Sequence, residues 1–355
     1  MTKPPLVSFI VPTLNRRRHV LRAVQSCLDV DARSCGVDIE VVVSDCASTD
    51  GSWEALQEAF GQDDRVTLVR GRSGAGPVEN WLNGAWHIKG DYVTFAWSDD
   101  FIATHFIADH LANMRAGATI SVGRGLERDV DENSPLPAGL GSGRLPLETF
   151  LKGYFQRGTM DDVVRPFSPA CSLFARRVFD HWVQLVQQWA NANPLREETM
   201  WQRAIGADLL MTLIAVADSD GGPIWKTDSF TAQFSFHPGS ITYSSSRLPF
   251  ETGYWIAALW FLTNDRAPVL LGVPRATHYL AVAYVYGLIL STIARFGYGK
   301  VAHPQYYRDE LALISAAVRR RECRTQFRLA VATQCVLTPL RLARYALQKG
   351  IRKTG

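Results

Sequence analysis

At 355 residues with 47% apolar and 20% charged side chains, the chain can bury one large or two moderate cores and is not a disordered polypeptide. Its 38 Lys and Arg against 34 Asp and Glu leave a net +4, an excess too small to point to a nucleic-acid partner. Six cysteines (Cys27, Cys35, Cys46, Cys171, Cys323 and Cys335) show no CxxC or zinc-like spacing, and no charged-then-apolar leader precedes Leu6, so a reducing cytosol is the expected compartment.

Residues 6–125 alternate short β-branched runs with helical patterns, the signature of βαβ units and an α/β fold with a largely parallel sheet. Strands are predicted at 6–12, 38–45, 65–69, 91–97 and 118–124, with helices near 17–29, 52–60, 77–88 and 104–116 between them. Residues 129–146, with Pro, Gly and Ser and no clear period, read as a mobile connection. Helical patterns follow near 147–156, 175–191, 197–204 and 207–217, then strand-like runs at 224–228 and 230–236. From Phe250 onward everything reads as helix, near 250–264, 275–296, 304–321 and 324–349, which sets a boundary near 245.

Charge is unevenly placed. From Arg295 to the end, 13 Lys and Arg stand against 3 Asp and Glu, net +10, which leaves 25 against 31, net −6, for residues 1–294. Phe327 to Lys353 intersperses Leu329, Val336 and Leu340 with Arg328, Arg341, Arg344 and Lys349, the composition of a basic amphipathic helix broken near Pro339. Such a helix suits an anionic membrane surface; the alternative is packing on its own domain or on a second subunit of a homo-oligomer. The most apolar run of the second half, between His278 and Arg295, is 16 residues long and below the length of a spanning helix.

In open parallel sheets ligands collect at the carboxyl ends of the strands, which directs attention to Pro12-Thr13, Asp45 and Ser98-Asp99-Asp100. Two adjacent carboxylates after an apolar strand repel each other unless a cation, a proton or a basic side chain compensates. A hard ion such as Mg2+ would join Asp99 and Asp100 to a diphosphate, whereas the plain alternative is a solvated turn capping the helix near 104. Asp45, ahead of Cys-Ala-Ser-Thr-Asp-Gly-Ser, can accept the imide N–H of a uracil ring or cap its own turn. The run Gly71 to Gly76 fits neither GxGxxG nor GxxxxGK[ST], and no HExxH, GxSxG or credible Cys/His spacing supports zinc, serine or thiol chemistry.

The segments VSFIVPTLNR, EVVVSDCASTDGS, GPVENWLNGAWHIKGDYVTFAWSDD and the later GAD and HPGSIT occur in one order. Together they resemble the family 2 glycosyltransferases of the GT-A fold, over about residues 5–240, and are most similar to bacterial members that build O-antigen, capsule or similar surface polysaccharides. The resemblance implies a GT-A catalytic domain over 1–245, with a mostly parallel sheet flanked by helices, and a helical C-terminal region over 246–355. It implies that Pro12, Thr13 and Asn15 lie beside the nucleotide, that Asp45 bonds the base and that Asn80 faces the nucleotide. Asp99 and Asp100 are then the DxD-type element, of which Asp100 most directly holds Mn2+ or Mg2+, and Ser98 and Asp99 contact the nucleotide-sugar.

By the same resemblance Asp208, in GADLLM, is the base that deprotonates the acceptor hydroxyl, or else the N-cap of its helix. His237 reaches the metal or diphosphate, or is structural. Glu197, Glu198, Asp161 and Asp162 stand as reserve acids, and Ser240 and Arg247 as weaker phosphate contacts. Two positions depart from the pattern: Trp97 occupies the first acidic place of Asp-x-Asp-Asp, and Leu14 stands where many members carry an aromatic that stacks on the base. Trp97 reads as core packing or as a sugar contact.

The expected function is metal-dependent, inverting transfer of a sugar from a nucleoside diphosphate donor, a UDP-sugar, to a saccharide acceptor carried on a polyprenyl diphosphate. It would take place at the cytoplasmic face of the cell membrane, with 129–146 closing over the donor. Two rivals are a nucleotidyltransferase, for which Arg16-Arg17-Arg18 is present but follows PTLN, and a non-catalytic sugar-nucleotide-binding scaffold in which Trp97 marks a degenerate site.

Overall fold

The computed structural model describes residues 3–129, 131–132, 134–139, 141–147, 149–150, 168–192, 206–220 and 222–237, with isolated positions between 254 and 343. The chain divides into two compact units, Met1–Ser244 and Ser245–Gly355.

The first unit opens with β1 (Leu6–Thr13), α1 (Arg17–Leu28), β2 (Asp38–Asp45), α2 (Ser52–Phe60), β3 (Val66–Arg70), α3 (Pro77–Ala85) and β4 (Tyr92–Phe95). There follow β5 (Phe101–Ile102), α4 (Phe106–Arg115), β6 (Ile120–Asp129), β7 (Ser142–Leu145), a 3-10 turn (Pro169–Cys171), β8 (Ser172–Ala175), α5 (Arg176–Ala192), α6 (Ala207–Ala217) and β9 (Ile224–Phe236). The sheet runs β3-β2-β1-β4-β8-β6-β9-β5, with β7 added on β9. β1 to β4 are parallel throughout, in the register Thr13 to Asp45 and Asp45 to Arg70, so these strand ends share one edge. β8 enters antiparallel between β4 and β6, while β6 and β9 run parallel.

The period-2 alternation of β1 decides the layers. Val7, Phe9 and Val11 join Val20, Val24 and Cys27 of α1, Leu56 of α2 and Phe106 of α4 in one core, all fully buried. Each such side chain taken from water stabilises the fold by about 1.5–3 kcal/mol. Ile10 faces the other way, where Gly84 of α3 comes so close that a Cβ would lie 2.8 Å from its Cγ2; only glycine lets the helix sit there. That second face carries an aromatic cluster of Trp81, Phe95, Trp97, Phe179 and Trp182.

Three sequence expectations change. The run 224–236 is one continuous strand, and 91–97 is shortened to Tyr92–Phe95 because Trp97 to Asp100 turn away, the Asp100 amide donating to Trp97 O. The stretch 129–146 is no free loop. β7 pairs antiparallel with the start of β9, the amides of Phe230 and Asp228 donate to Pro137 O and Gly141 O, and Gly139 donates to Ser229 Oγ. Its described residues are thus strapped along β9, which removes the physical basis for a lid. The helical patterns at 197–204, 275–296 and 304–321 lie outside the described residues, as do Asp161, Asp162, Glu197, Glu198, Ser240 and Arg247.

In the second unit Ala257, Ala258, Leu259, Phe261 and Leu262 are helical and buried, whereas helical Val336 and Leu340 are 66% and 63% exposed. Among the described residues no helix is long and apolar enough to cross a membrane.

One ion pair makes stability depend on pH. His181 Nδ1 of α5 lies 3.1 Å from Asp218 Oδ1 at the end of α6, and this carboxylate raises the imidazole above its usual pKa. A raised histidine contributes stability below its unfolded value of about 6.5 and loses it as pH rises through the folded value. The pair is partly exposed, so at most about 1 kcal/mol is at stake. The urea stability deficit of His181→Ala should therefore be larger at pH 5.5 than at pH 9; equal deficits would show that the pair contributes nothing.

Candidate active site

Loops at the carboxyl ends of β1, β2 and β4 and the end of β9 converge with the first turns of α1. On the β1–β2 side, Asp45 is fully buried and its carboxylate accepts the Ser48 amide at 3.0 Å and the Ser48 hydroxyl. Ser48 Oγ in turn accepts the Asn15 amide at 2.8 Å, and Asn15 Oδ1 accepts the Thr49 amide at 2.8 Å. Asn15 and Ala47 hold left-handed conformations, φ 53° and 55°, that non-glycine residues adopt at a cost. These bonds lock the two loops together. Asp45 does cap its own turn, as one of the two sequence readings has it, yet a carboxylate has lone pairs for a further donor.

Asn80 braces the same edge from α3. Its Nδ2 donates to Ser44 O at 2.9 Å and Thr13 O at 3.2 Å, and its Oδ1 accepts the Ser44 hydroxyl at 2.8 Å. Beside it Thr13 Oγ1 is buried with no hydrogen-bond partner among the described residues, a polar atom that a ligand would satisfy. Pro12 is buried in register with Ser44, while Leu14 is 47% exposed, a bare apolar surface at the lip of the loop.

The acidic turn forms the second half of the site. His237 Nε2 lies 2.8 Å from Asp99 Oδ2, and Arg16 Nε lies 3.5 Å from the same oxygen. Asp100 is buried and its Oδ1 accepts the Ser235 amide of β9 at 2.9 Å. Burial, with the charge of Asp99 adding to it, pushes the Asp100 carboxyl well above the usual carboxylate range. His19 stacks near His237, ring centroids 5.2 Å apart, and burial lowers its own pKa. Ser98, at the head of the turn, is buried.

Among the described residues no group of three His, Cys, Asp or Glu surrounds a single point. The donors present nonetheless fit a divalent ion: a carboxylate and an imidazole already face each other, next to a second, buried carboxylate. Ions of this kind complete their shell with water and substrate phosphates rather than with a full protein cage.

Trp97 is half-buried: its indole stacks on Phe95 at 5.2 Å and its Nε1 donates to Ser168 Oγ at 2.8 Å. Asp208 occupies the first turn of α6, behind Gly206 at φ 92°, where glycine is the residue that fits. Gly206 rather than Asp208 is the cap residue, and Asp208 Oδ1 accepts the Leu209 amide at 2.9 Å. Sequence reading singled out Thr13, Asn15, Asp45, Asn80, Asp99, Asp100 and His237. It missed Ser48, His19, Arg22 and Ser235, although Arg16, His19 and Arg22 already stood at helical spacing on α1.

A sheet with parallel β1 to β4, helices on both faces and an acidic turn at its carboxyl edge is the architecture of GT-A nucleotide-sugar enzymes. Residues 8–183 match the model of glycosyl transferase family 2, and the chain belongs to that family. A glycosyltransferase of Haemophilus influenzae is 35% identical over 99 residues, 28% of this chain and 38% of that protein. The Campylobacter jejuni GalNAc(5)-diNAcBac-PP-undecaprenol beta-1,3-glucosyltransferase is 34% identical over 97 residues, 27% of this chain and 30% of that protein. The matched stretches thus span about a third of these curated relatives. S. aureus TarS 1-349, solved with UDP-GlcNAc, superposes with a TM-score of 0.59 at 16% identity, over 89% of this chain and 82% of that one, which supports the fold.

Because Asn80 satisfies two buried carbonyls and a hydroxyl, Asn80→Ala should lower stability by about 1–3 kcal/mol. Urea unfolding checks this, and an unchanged midpoint would reduce Asn80 to a ligand contact alone.

Proposed function

We propose that this chain transfers a glycosyl group, with inversion, from a UDP-sugar to a saccharide acceptor carried on a polyprenyl diphosphate in the assembly of a bacterial surface polysaccharide. The observation that carries the reading is the meeting of Asp99 and His237 at 2.8 Å beside buried Asp100, on the strand edge that also holds Asp45 and the unpartnered Thr13 hydroxyl. The donor and acceptor classes rest on the family and on what the C. jejuni and TarS proteins are described as acting on or binding.

Asp45 and the Thr13–Asn15 loop would take the nucleoside, with the exposed Leu14 offering the ring an apolar face in place of an aromatic one. Asp99, His237 and the remaining lone pairs of Asp100 would hold Mn2+ or Mg2+, which when bound supplies positive charge against the departing diphosphate. Arg16, 3.5 Å from Asp99, adds a cation that can turn toward a phosphate once Asp99 is otherwise engaged. Asp208, in the first turn of α6, would accept the acceptor's proton.

Two substitutions separate these roles. Asp100→Ala should abolish transfer and weaken UDP binding in the presence of Mn2+, as calorimetry with and without EDTA would read. Asp208→Asn should keep donor affinity while turnover falls by about a hundredfold or more. Unchanged turnover in Asp208→Asn rejects the base assignment. Metal-dependent UDP binding with no transfer to any acceptor would favour the scaffold reading, for which Trp97 in an acid's place is the supporting feature.

We further infer that the basic C-terminal helix lies on the inner face of the cell membrane. The net +10 from Arg295 onward and the outward Val336 and Leu340 together match an anionic bilayer, with about 1 kcal/mol per basic residue near the surface. Truncation after Gln326 should release the protein from anionic liposomes, and full retention would exclude the helix as the anchor.

A further inference from the structure

We propose that Arg22 is a positioning residue that sets the separation between the acidic turn and His237, and so tunes the affinity of the site for its divalent ion. The inference rests on the metal reading above and adds to it a residue that never touches the ion.

Arg16, the N-cap of α1, and His19, Arg22 and Ser26 on one face of that helix each meet the acidic turn or a neighbour of it. Arg16 approaches Asp99 Oδ2, His19 lies against the His237 ring, and Ser26 Oγ accepts the Ile102 amide at 3.1 Å. Arg22 is the member that spans two elements. Its Nη2 donates to the main-chain oxygen of Asp99 at 3.4 Å and to Ser235 Oγ at 3.3 Å. The Ser235 amide in turn holds Asp100 Oδ1, and two residues further along β9 leads into His237. One planar guanidinium therefore ties the turn that bears both carboxylates to the strand end that bears the imidazole.

Neither bond uses the Asp99 carboxylate, which stays available to His237 and to an ion. The two long, part-buried bonds orient main chain and hydroxyl. Both bonds leave one nitrogen, Nη2, whose two N–H groups are fixed in the guanidinium plane, whereas the ammonium of a lysine rotates freely and can keep a bond without fixing the angle between both partners. Methionine matches the bulk of the stem and makes neither.

The test uses the full-length protein, Mn2+ and UDP. Mn2+ occupancy is followed by electron paramagnetic resonance, with thermal unfolding of the same samples and UDP affinity in EDTA as controls. Arg22→Met should need at least tenfold more Mn2+ for half occupancy while its metal-free UDP affinity stays at the wild-type value, and Arg22→Lys should fall between. A folded Arg22→Met with wild-type Mn2+ half-occupancy overturns the proposal. So does a Mn2+ loss matched by an equal loss of metal-free UDP affinity, which would indicate general damage to the site. If Arg22→Met does not fold, Arg22→Lys decides: a threefold or larger shift supports the role and none rejects it. If the wild-type protein takes up no Mn2+ with UDP, the metal reading itself fails, and this is seen before any variant is compared.

Discussion

Two carboxylates cannot share a desolvated turn unless positive charge or a proton is brought to them, and this constraint organises the carboxyl edge of the sheet. Asp99 is met by His237 and Arg16, Asp100 by a main-chain amide of β9, and Arg22 holds the turn from behind. Every element that reaches the acids brings either a positive group or a hydrogen-bond donor. The ends of β4 and β9, far apart in sequence, and the first turns of α1 thus meet at one place. Under the proposed function, an added cation would relieve the Asp99–Asp100 repulsion and let arginine turn toward substrate phosphate.

The Asp45 side of the edge is governed by main-chain satisfaction rather than by charge. Asp45, Ser48, Asn15 and Asn80 spend most of their hydrogen bonds on one another and on Thr13 and Ser44. Such residues do double service: they fix strained loops, seen at Asn15 and Ala47, and leave a few unsatisfied polar atoms, of which Thr13 Oγ1 is the clearest, for a ligand to satisfy. Loops preorganised in this manner would not have to order themselves if the donor binds there as proposed.

The β1–β4 half was legible because its helices and strands bury regular faces. Val7, Phe9 and Val11 alternate with Ser8 and Ile10, and α1 repeats Val20, Val24 and Cys27 at helical spacing, so period alone locates them within a residue or two. β5, β7 and β8, of two to four residues, were not found, since strands that short exist only by pairing with β9, β6 and β4. The 129–146 segment misled for a related cause. Pro, Gly and Ser signal the absence of a regular period, not the absence of partners, and here the partners are backbone groups of β9.

The sequence by itself determined the α/β alternation, the acids and amides that terminate its strands and the ordered motifs of a family 2 glycosyltransferase, because these are local patterns written in side-chain period and spacing. Only the tertiary structure decided which oxygens face which donors. It sent Trp97 into the aromatic layer, turned Asp100 toward β9, paired Asp99 with a histidine from the far end of the sheet and brought Arg22 between them. Those outcomes depend on how distant segments pack, and a packing contact between residues 77 or 138 positions apart leaves no trace in local order.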